Sequence, residues 1–269
     1  MAVDKNLFLY DLAVVAIMKN EGPYVKEWLD YHLLAGVNHF YIYDNESLDN
    51  MKKILQPYIE RRIVTYNFYP GKQKQMEAYL DAVKKYKFSC RYMTFLDGDE
   101  FIFPQNNKGI VEVADEILSD KPTAGGVHIL WYMFGSNFQE RADYSRGILE
   151  RFTRHATNQH DLGKSIVNPR RINYITNPHR MNYFYDSVEI NEDTLKFFPS
   201  GNYKISDKIV VNHYYWKSRE EYAKKLSNGD VAFGERNQSV SNFNHDKDNE
   251  IFDDSILKYR AARLKGGGN

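Results

Sequence analysis

The chain has 269 residues, enough for one large domain with a sizeable core, and its apolar and charged fractions, 42% and 27%, are those of an ordinary globular protein. Lysine plus arginine equals aspartate plus glutamate at 36 each, so no long-range field draws a polyanion, which argues against a nucleic-acid partner. The single Cys90 excludes an internal disulfide framework and a paired-cysteine zinc site, and fits a reducing compartment.

The opening stretch MAVDKNLFLYDLAVVAIMKN carries acids, and Asp11 interrupts its apolar part. It reads as neither a signal peptide nor a spanning helix, and no other run approaches membrane length. A cytoplasmic protein without an integral membrane segment is therefore expected. LAVVAIM (12–18) has the continuous apolar character of a buried parallel strand. After the polar KNEG, Pro23 suits a first helical turn, Val25, Trp28, Leu29 and Leu33 recur at helical spacing, and Gly36 closes the helix. HFYIYDN (39–45) is the next strand, and the β-α-β unit implies parallel pairing.

The alternation continues with a helix at 51–60, a strand at 61–69, a helix at 72–87 and a strand at 92–97. A helix over 110–120 and a strand over 125–134 follow. From about 135 to 200 the period is lost, and long loops with small strands are expected. A strand at 208–215 precedes a capping box, Ser218 with Glu221, which opens a helix that Gly229 ends. The remainder is a polar stretch over 234–250 and a basic amphipathic segment over 255–265, whose solvated face also allows contact with a membrane surface. The fold class is α/β, with a mostly parallel central sheet flanked by helices.

The segment TFLDGDEFIF (94–103) admits two readings. Gly98 sits at the tip of a turn between two strands, or Asp97 and Asp99 present two carboxylates on one side of a strand end, as side chains at i and i+2 share a face. The second arrangement suits a hard divalent cation, Mn2+ or Mg2+, which completes its shell with waters and substrate phosphates. KNEG and YDNESLD end strands one and two, so three polar clusters converge on one sheet rim, where open α/β sheets bind ligands. Asp44 is placed there to accept hydrogen bonds from a base or ribose, or to serve turn chemistry with Asn45 and Ser47. Neither a GxGxxG fingerprint nor a P-loop is present.

KNEGPYVKEWLDYHLLAGVNHFYIYDNESLD, FLDGDEFIF, WYMFGSN and HYYWKS, in that order from about residue 14 to 229, resemble glycosyltransferases of family 92 and family-2-like bacterial enzymes. The resemblance implies a GT-A type fold that binds a nucleotide-diphosphate sugar, a UDP-sugar foremost, and passes the sugar to a glycan or lipid-linked glycan. It places the catalytic domain over 1–235, with a nucleotide-sugar half over about 1–105 and an acceptor half over about 106–235, and leaves 236–269 as a segment packed on it or trailing it. By the same resemblance Asp97 lies by the donor ribose and the metal, and Asp99 and His213 join it as metal ligands. Asp44 contacts the nucleoside, and Asn20 and Glu21 line the base pocket.

Lys164 and Lys217 are candidates to meet the diphosphate as point charges, and Trp131, Phe134 and Gly135 to shape the sugar pocket. The family kinship implies inversion, for which an acceptor-side carboxylate serves as base. Glu140, Asp143, Glu150 and Asp161 are the candidates, and the choice among them stays open. A lipid-linked acceptor would put the protein at the inner membrane face. A nucleotidyltransferase and a non-catalytic nucleotide-sugar or glycan-binding module are the rival readings.

Overall fold

The run 12–18 is apolar at every position because both of its faces are covered. In β1 (Tyr10–Met18), Leu12, Val14, Ala16 and Met18 enter one core cluster and Ala13, Val15 and Ile17 the other. The computed structural model describes residues 7–184, 186–193, 195–196, 206–227, 239–244 and 247–266, the side chain of Asp161 excepted.

β1 leads through α1 (Gly22–Leu34) to β2 (His39–Asp44), through α2 (Met51–Glu60) to β3 (Val64–Phe68), and through α3 (Gln75–Tyr86) to β4 (Cys90–Phe95). These strands pair in parallel in the order β3-β2-β1-β4. α1 and α2 contribute Val25, Trp28, Leu29, Met51 and Leu55 to one core, and α3 contributes Ala78, Tyr79, Ala82 and Val83 to the other. Pro23 lies in the first turn of α1. The helix ends as its sequence predicts: Gly36 takes φ +106°, and Val37 N donates to His32 O at 2.9 Å. The order of strands reverses between β1 and β4, which opens a crevice at their carboxyl ends.

The turn after β4 does not form a hairpin. β4 pairs with β1 and β8 (His160–Val167), whereas β5 (Glu100–Pro104) pairs with β12 (Ile209–His213) at the far end of the sheet. The chain crosses the carboxyl end of the sheet at Asp97–Gly98–Asp99 instead of doubling back. The free edge of β5 is covered by α1: Trp28 Nε1 donates to Glu100 O at 2.8 Å, Tyr31 OH to Ile102 O at 2.9 Å, and Ile102 N to His32 Nε2 at 3.3 Å. The spacing of these rings in EWLDYH is thus an edge cap as well as an apolar stripe.

α4 (Ile110–Leu118) precedes β6 (Ala124–Met133), and the main sheet runs β3-β2-β1-β4-β8-β6-β12-β5 with β11 (Val188–Ile190) beside β6. Pairing is parallel for β6 with β11 and β12, and antiparallel where β8 meets β4 and β6. β8 corrects the expectation of loops and small strands alone over 135–200. Its polar HDLGKS hides a central strand because Lys164 and Ser165 are buried against charged and polar partners. The rest of that stretch holds α5 (Ile148–Arg151), β7 (Arg154–His155) and the hairpin of β9 (Ile172–Asn177) with β10 (Arg180–Tyr183).

After β12, the capping box forms: Ser218 N donates to Glu221 Oε2 at 3.0 Å and Glu221 N to Ser218 Oγ at 3.3 Å, opening α6 (Arg219–Ser227). Gly229 lies outside the described residues. β13 (Ile251–Phe252) pairs with β7, and α7 (Ser255–Gly266) packs on α1, with Tyr259 buried against Phe103. Among the described residues no helix is long and apolar enough to cross a membrane.

Candidate active site

Beyond the carboxyl ends of β1 and β4 lies a cleft of about 900 Å³. Its floor is the acidic turn, and Glu100, the first residue of β5, anchors it from below. Glu100 Oε2 accepts from Asp97 N at 2.8 Å, and Glu100 N donates to Asp97 O at 3.1 Å. Burial pushes the Glu100 carboxyl up to about 8 against the pull of Lys164. Gly98 brings the turn close to Glu21, whose Cγ would stand 3.2 Å from a Cβ there.

Asp97 lines the cleft with both oxygens engaged. Gln75 Nε2 at the start of α3 donates to Oδ1 at 2.8 Å, and Lys164 Nζ to Oδ2 at 3.1 Å. Lys164 also stands 3.2 Å from Glu100 Oε2 and is 1% exposed, so it is an internal counter-ion beneath the turn and does not line the cleft. Burial would raise the Asp97 carboxyl, but Lys164 foremost holds it below its ordinary range.

Asp99 is the most cation-rich carboxylate of the cleft. Lys225 Nζ lies 2.5 Å and Lys217 Nζ 3.5 Å from Oδ2, while His213 Nε2 lies 3.5 Å from Oδ1. Against burial, the Lys225 and Lys217 ammonium groups, with the hydrogen bond from His213, hold it well below the ordinary range. β12 delivers His213, since Tyr214 N donates to Asp99 O at 2.9 Å and fixes the strand end beside the turn. Burial pushes the His213 imidazole down, against the opposing pull of Asp99, which favours the neutral, ligating form.

Trp131 closes one wall, its ring centroid 4.5 Å from that of His213 and 4.9 Å from that of His179. Opposite, Asn20 takes a left-handed φ of 59°, donates from its main-chain N to Ser47 Oγ at 2.9 Å and accepts from Leu48 N at 2.8 Å, tying the loops after β1 and β2 together. Glu21 is half-buried near Lys217, and its carboxyl is raised chiefly by desolvation.

Of the residues singled out in the sequence, Asn20, Glu21, Asp97, Asp99, Trp131, His213 and Lys217 line this one cleft. Asp44 is not in that lining: Oδ1 accepts from Ser47 N at 2.9 Å, a bond of the turn chemistry that was its other reading, and Oδ2 from Tyr66 OH on β3 at 2.7 Å. Phe134 and Gly135 lie behind the wall, where Gly135 makes room for Asn249. Glu140 faces Arg219, Glu150 pairs with Arg260 and Asp143 accepts from Ser145, all outside the lining, and the side chain of Asp161 is outside the described set. The lining adds residues that spacing did not single out: Tyr24, Gln75, His179, Tyr215, Trp216, Lys225 and Asp248.

Among the described residues no three acidic, histidine or cysteine side chains form a ready-made metal cage. The donor set nevertheless fits a hard divalent cation that draws the rest of its shell from a substrate. Asp99 supplies oxygen, His213 nitrogen, and an ammonium group already sits against Asp99 Oδ2 in the cleft.

The sequence model of glycosyltransferase family 92 matches residues 16–261. A glycosyltransferase family 92 protein of Oryza sativa subsp. japonica is 25% identical over 226 residues, 83% of this chain and 36% of that protein. One of Ricinus communis is 25% identical over 170 residues, 60% of this chain and 29% of its own length. The chain thus spans about a third of the curated relatives it matches. Solved structures with partial likeness are residues 1–349 of S. aureus TarS (TM-score 0.41, 15% identity, 96% of this chain and 72% of that one). Another is glucosyl-3-phosphoglycerate synthase from Mycobacterium tuberculosis with Mn2+, UDP and glucosyl-3-phosphoglycerate (TM-score 0.37, 15% identity, 61% of this chain and 58% of that one).

Proposed function

Since the chain belongs to glycosyltransferase family 92, we propose that its cleft binds a nucleotide-diphosphate sugar, a UDP-sugar foremost, and transfers the sugar with inversion to a glycan or lipid-linked glycan. The observation that carries this reading is the meeting of the Asp97–Gly98–Asp99 turn with Glu21, Lys217, His213 and Trp131 in one cleft at the strand-order reversal. Asn20 and Glu21 border the nucleoside side, and Trp131 offers an aromatic face to the sugar ring.

Breaking the anomeric bond puts negative charge on the departing diphosphate. Lys217 and Lys225, beside Asp99, are the positive groups within reach of it, and such stabilisation is commonly the largest catalytic contribution. Asp99 and His213, with Asp97 beside them, would hold Mn2+ or Mg2+. When bound, that ion supplies further charge neutralisation at the diphosphate.

The acceptor hydroxyl needs a base on the open side. Among the described cleft carboxylates, Asp97 and Asp99 are committed to cations, Glu221 to Arg151, Asp49 to the main-chain N of Gly22 and Met51, and Glu21 stands with Lys217 on the nucleoside side. Asp248, held through Oδ2 by Trp216 Nε1 at 2.7 Å, is the one we assign as base. Titration of the protein with UDP and a set of nucleotide sugars tests the donor reading. Binding that is lost in Asp97→Asn and weakened in Lys217→Met is expected, and no binding of any nucleotide sugar would contradict it.

A further inference from the structure

Lys225 and Lys217 approach the same oxygen of Asp99, yet their settings differ. Lys217 is 5% exposed, its ammonium over the Tyr24 ring at 4.6 Å, with Glu21 and Asp99 the foremost charges drawing on it. Lys225 is 20% exposed, in the last turn of α6, lying over the Tyr215 ring at 4.0 Å and 3.4 Å from Tyr215 O. Lys217 is thus enclosed, and Lys225 stands on the open side of the cleft with a flexible four-carbon stem.

A divalent cation seated with His213 at Asp99 Oδ1 would share that carboxylate with an ammonium group 2.5 Å from Oδ2, and the two positive charges repel across it. We propose that Lys225 is a tethered counter-ion: it holds Asp99 before donor and metal arrive, then turns its ammonium to the donor diphosphate and leaves the carboxylate to the metal. This rests on the reading of the cleft as a metal-assisted nucleotide-sugar site. Its consequence is a coupling. Metal alone must displace Lys225 into water, whereas metal arriving with a diphosphate gives the displaced ammonium a new partner, so each ligand tightens the other.

The test is Mn2+ titration of the full chain, followed by the electron paramagnetic resonance of the free aqueous ion, with and without UDP. In the parent, UDP should tighten Mn2+ binding by about tenfold or more, as expected of a coupling of this kind. Lys225→Met should bind Mn2+ alone several-fold more tightly, with the UDP effect reduced, and should bind UDP more weakly in chelator. Lys225→Arg should keep the parent pattern, and Lys225→Gln replaces the methionine variant if that one does not fold. Unchanged Mn2+ affinity and coupling in Lys225→Met would overturn the tethered counter-ion while leaving the metal site standing. Absence of Mn2+ binding in the parent, with UDP present, would overturn the metal reading and the proposal with it. Loss of binding in Asp99→Asn identifies the ligand.

Discussion

Arg151 meets both carboxylate oxygens of Glu221, at 2.8 and 2.6 Å, with both side chains 1% exposed. The same carboxylate accepts from Tyr24 OH at 2.7 Å and from Ser218 N at 3.0 Å, so α1, α5 and the start of α6 are tied together at the wall that carries Lys217 and Lys225. Removing one partner leaves a buried unpaired charge, and Arg151→Met should cost about 3–5 kcal/mol of stability. Arg151→Lys, lacking the bidentate fork, should fall between. Denaturant unfolding checks this, and a methionine variant within about 1 kcal/mol of the parent would contradict it.

The same pair sets an acid limit. Burial works to raise the Glu221 carboxyl, but the hydrogen bonds from Arg151, Ser218 and Tyr24 together outweigh it and hold it below its ordinary 4.5. A depressed carboxyl contributes stability that is full above the unfolded value and is lost as pH falls through the folded one. The melting-temperature gap between parent and Glu221→Gln should therefore be constant above about pH 5 and close below about pH 4. A gap independent of pH across that range would show that the ion pair does not supply it.

Lys164 was expected to meet the diphosphate, and its position argues for a different effect. Lys164→Met strands Asp97 and Glu100 together beneath the turn, and should lower stability by about 3–5 kcal/mol as well as weakening nucleotide binding. A stable variant with only reduced nucleotide affinity would restore the expectation of direct contact. Thermal melts beside UDP titration separate the two.

Gly135 was read with Trp131 as part of the sugar pocket. A methyl group there would stand 2.5 Å from Asn249 Cγ and Oδ1 and from the Asp248 main-chain oxygen. Gly135→Ala should cost about 1–3 kcal/mol through overpacking and loosen the segment that carries Asp248. Asn249→Gly in the same chain should recover part of that loss. No change on Gly135→Ala would show that the segment does not seat there.

Asp248→Asn separates base chemistry from binding. Its UDP affinity should equal that of the parent, while transfer should fall by about 10²–10⁴-fold. Equal rates would move the base elsewhere.

The half of the site that the sequence revealed lies at strand ends. The carboxyl ends of β1 and β4 share one rim in an α/β sheet, so Asn20, Glu21, Asp97 and Asp99 were legible as neighbours, and the family resemblance alone brought His213 to them. Lys225 and Gln75 were not, because a helix residue reaches the cleft only through how its helix is set against the sheet. Lys164 misled for the opposite reason: its GKSIV context says nothing about whether an ammonium is wet or sealed under a turn. β8 was hidden by the same residue, since a strand that buries a lysine loses its apolar pattern. Asp248 reaches the cleft from beyond the last recognisable motif, through the fit of Asn249 onto Gly135, which no local spacing encodes.

The most direct test of the account is nucleoside diphosphate release from a panel of nucleotide sugars, with Mn2+ or with chelator, by the parent and by Asp99→Ala. The account predicts release from one donor class that requires both Mn2+ and Asp99. Release that survives chelator and Asp99→Ala would contradict the role given to the acidic turn, and no release or nucleotide-induced stabilisation with any donor would contradict the transferase reading itself.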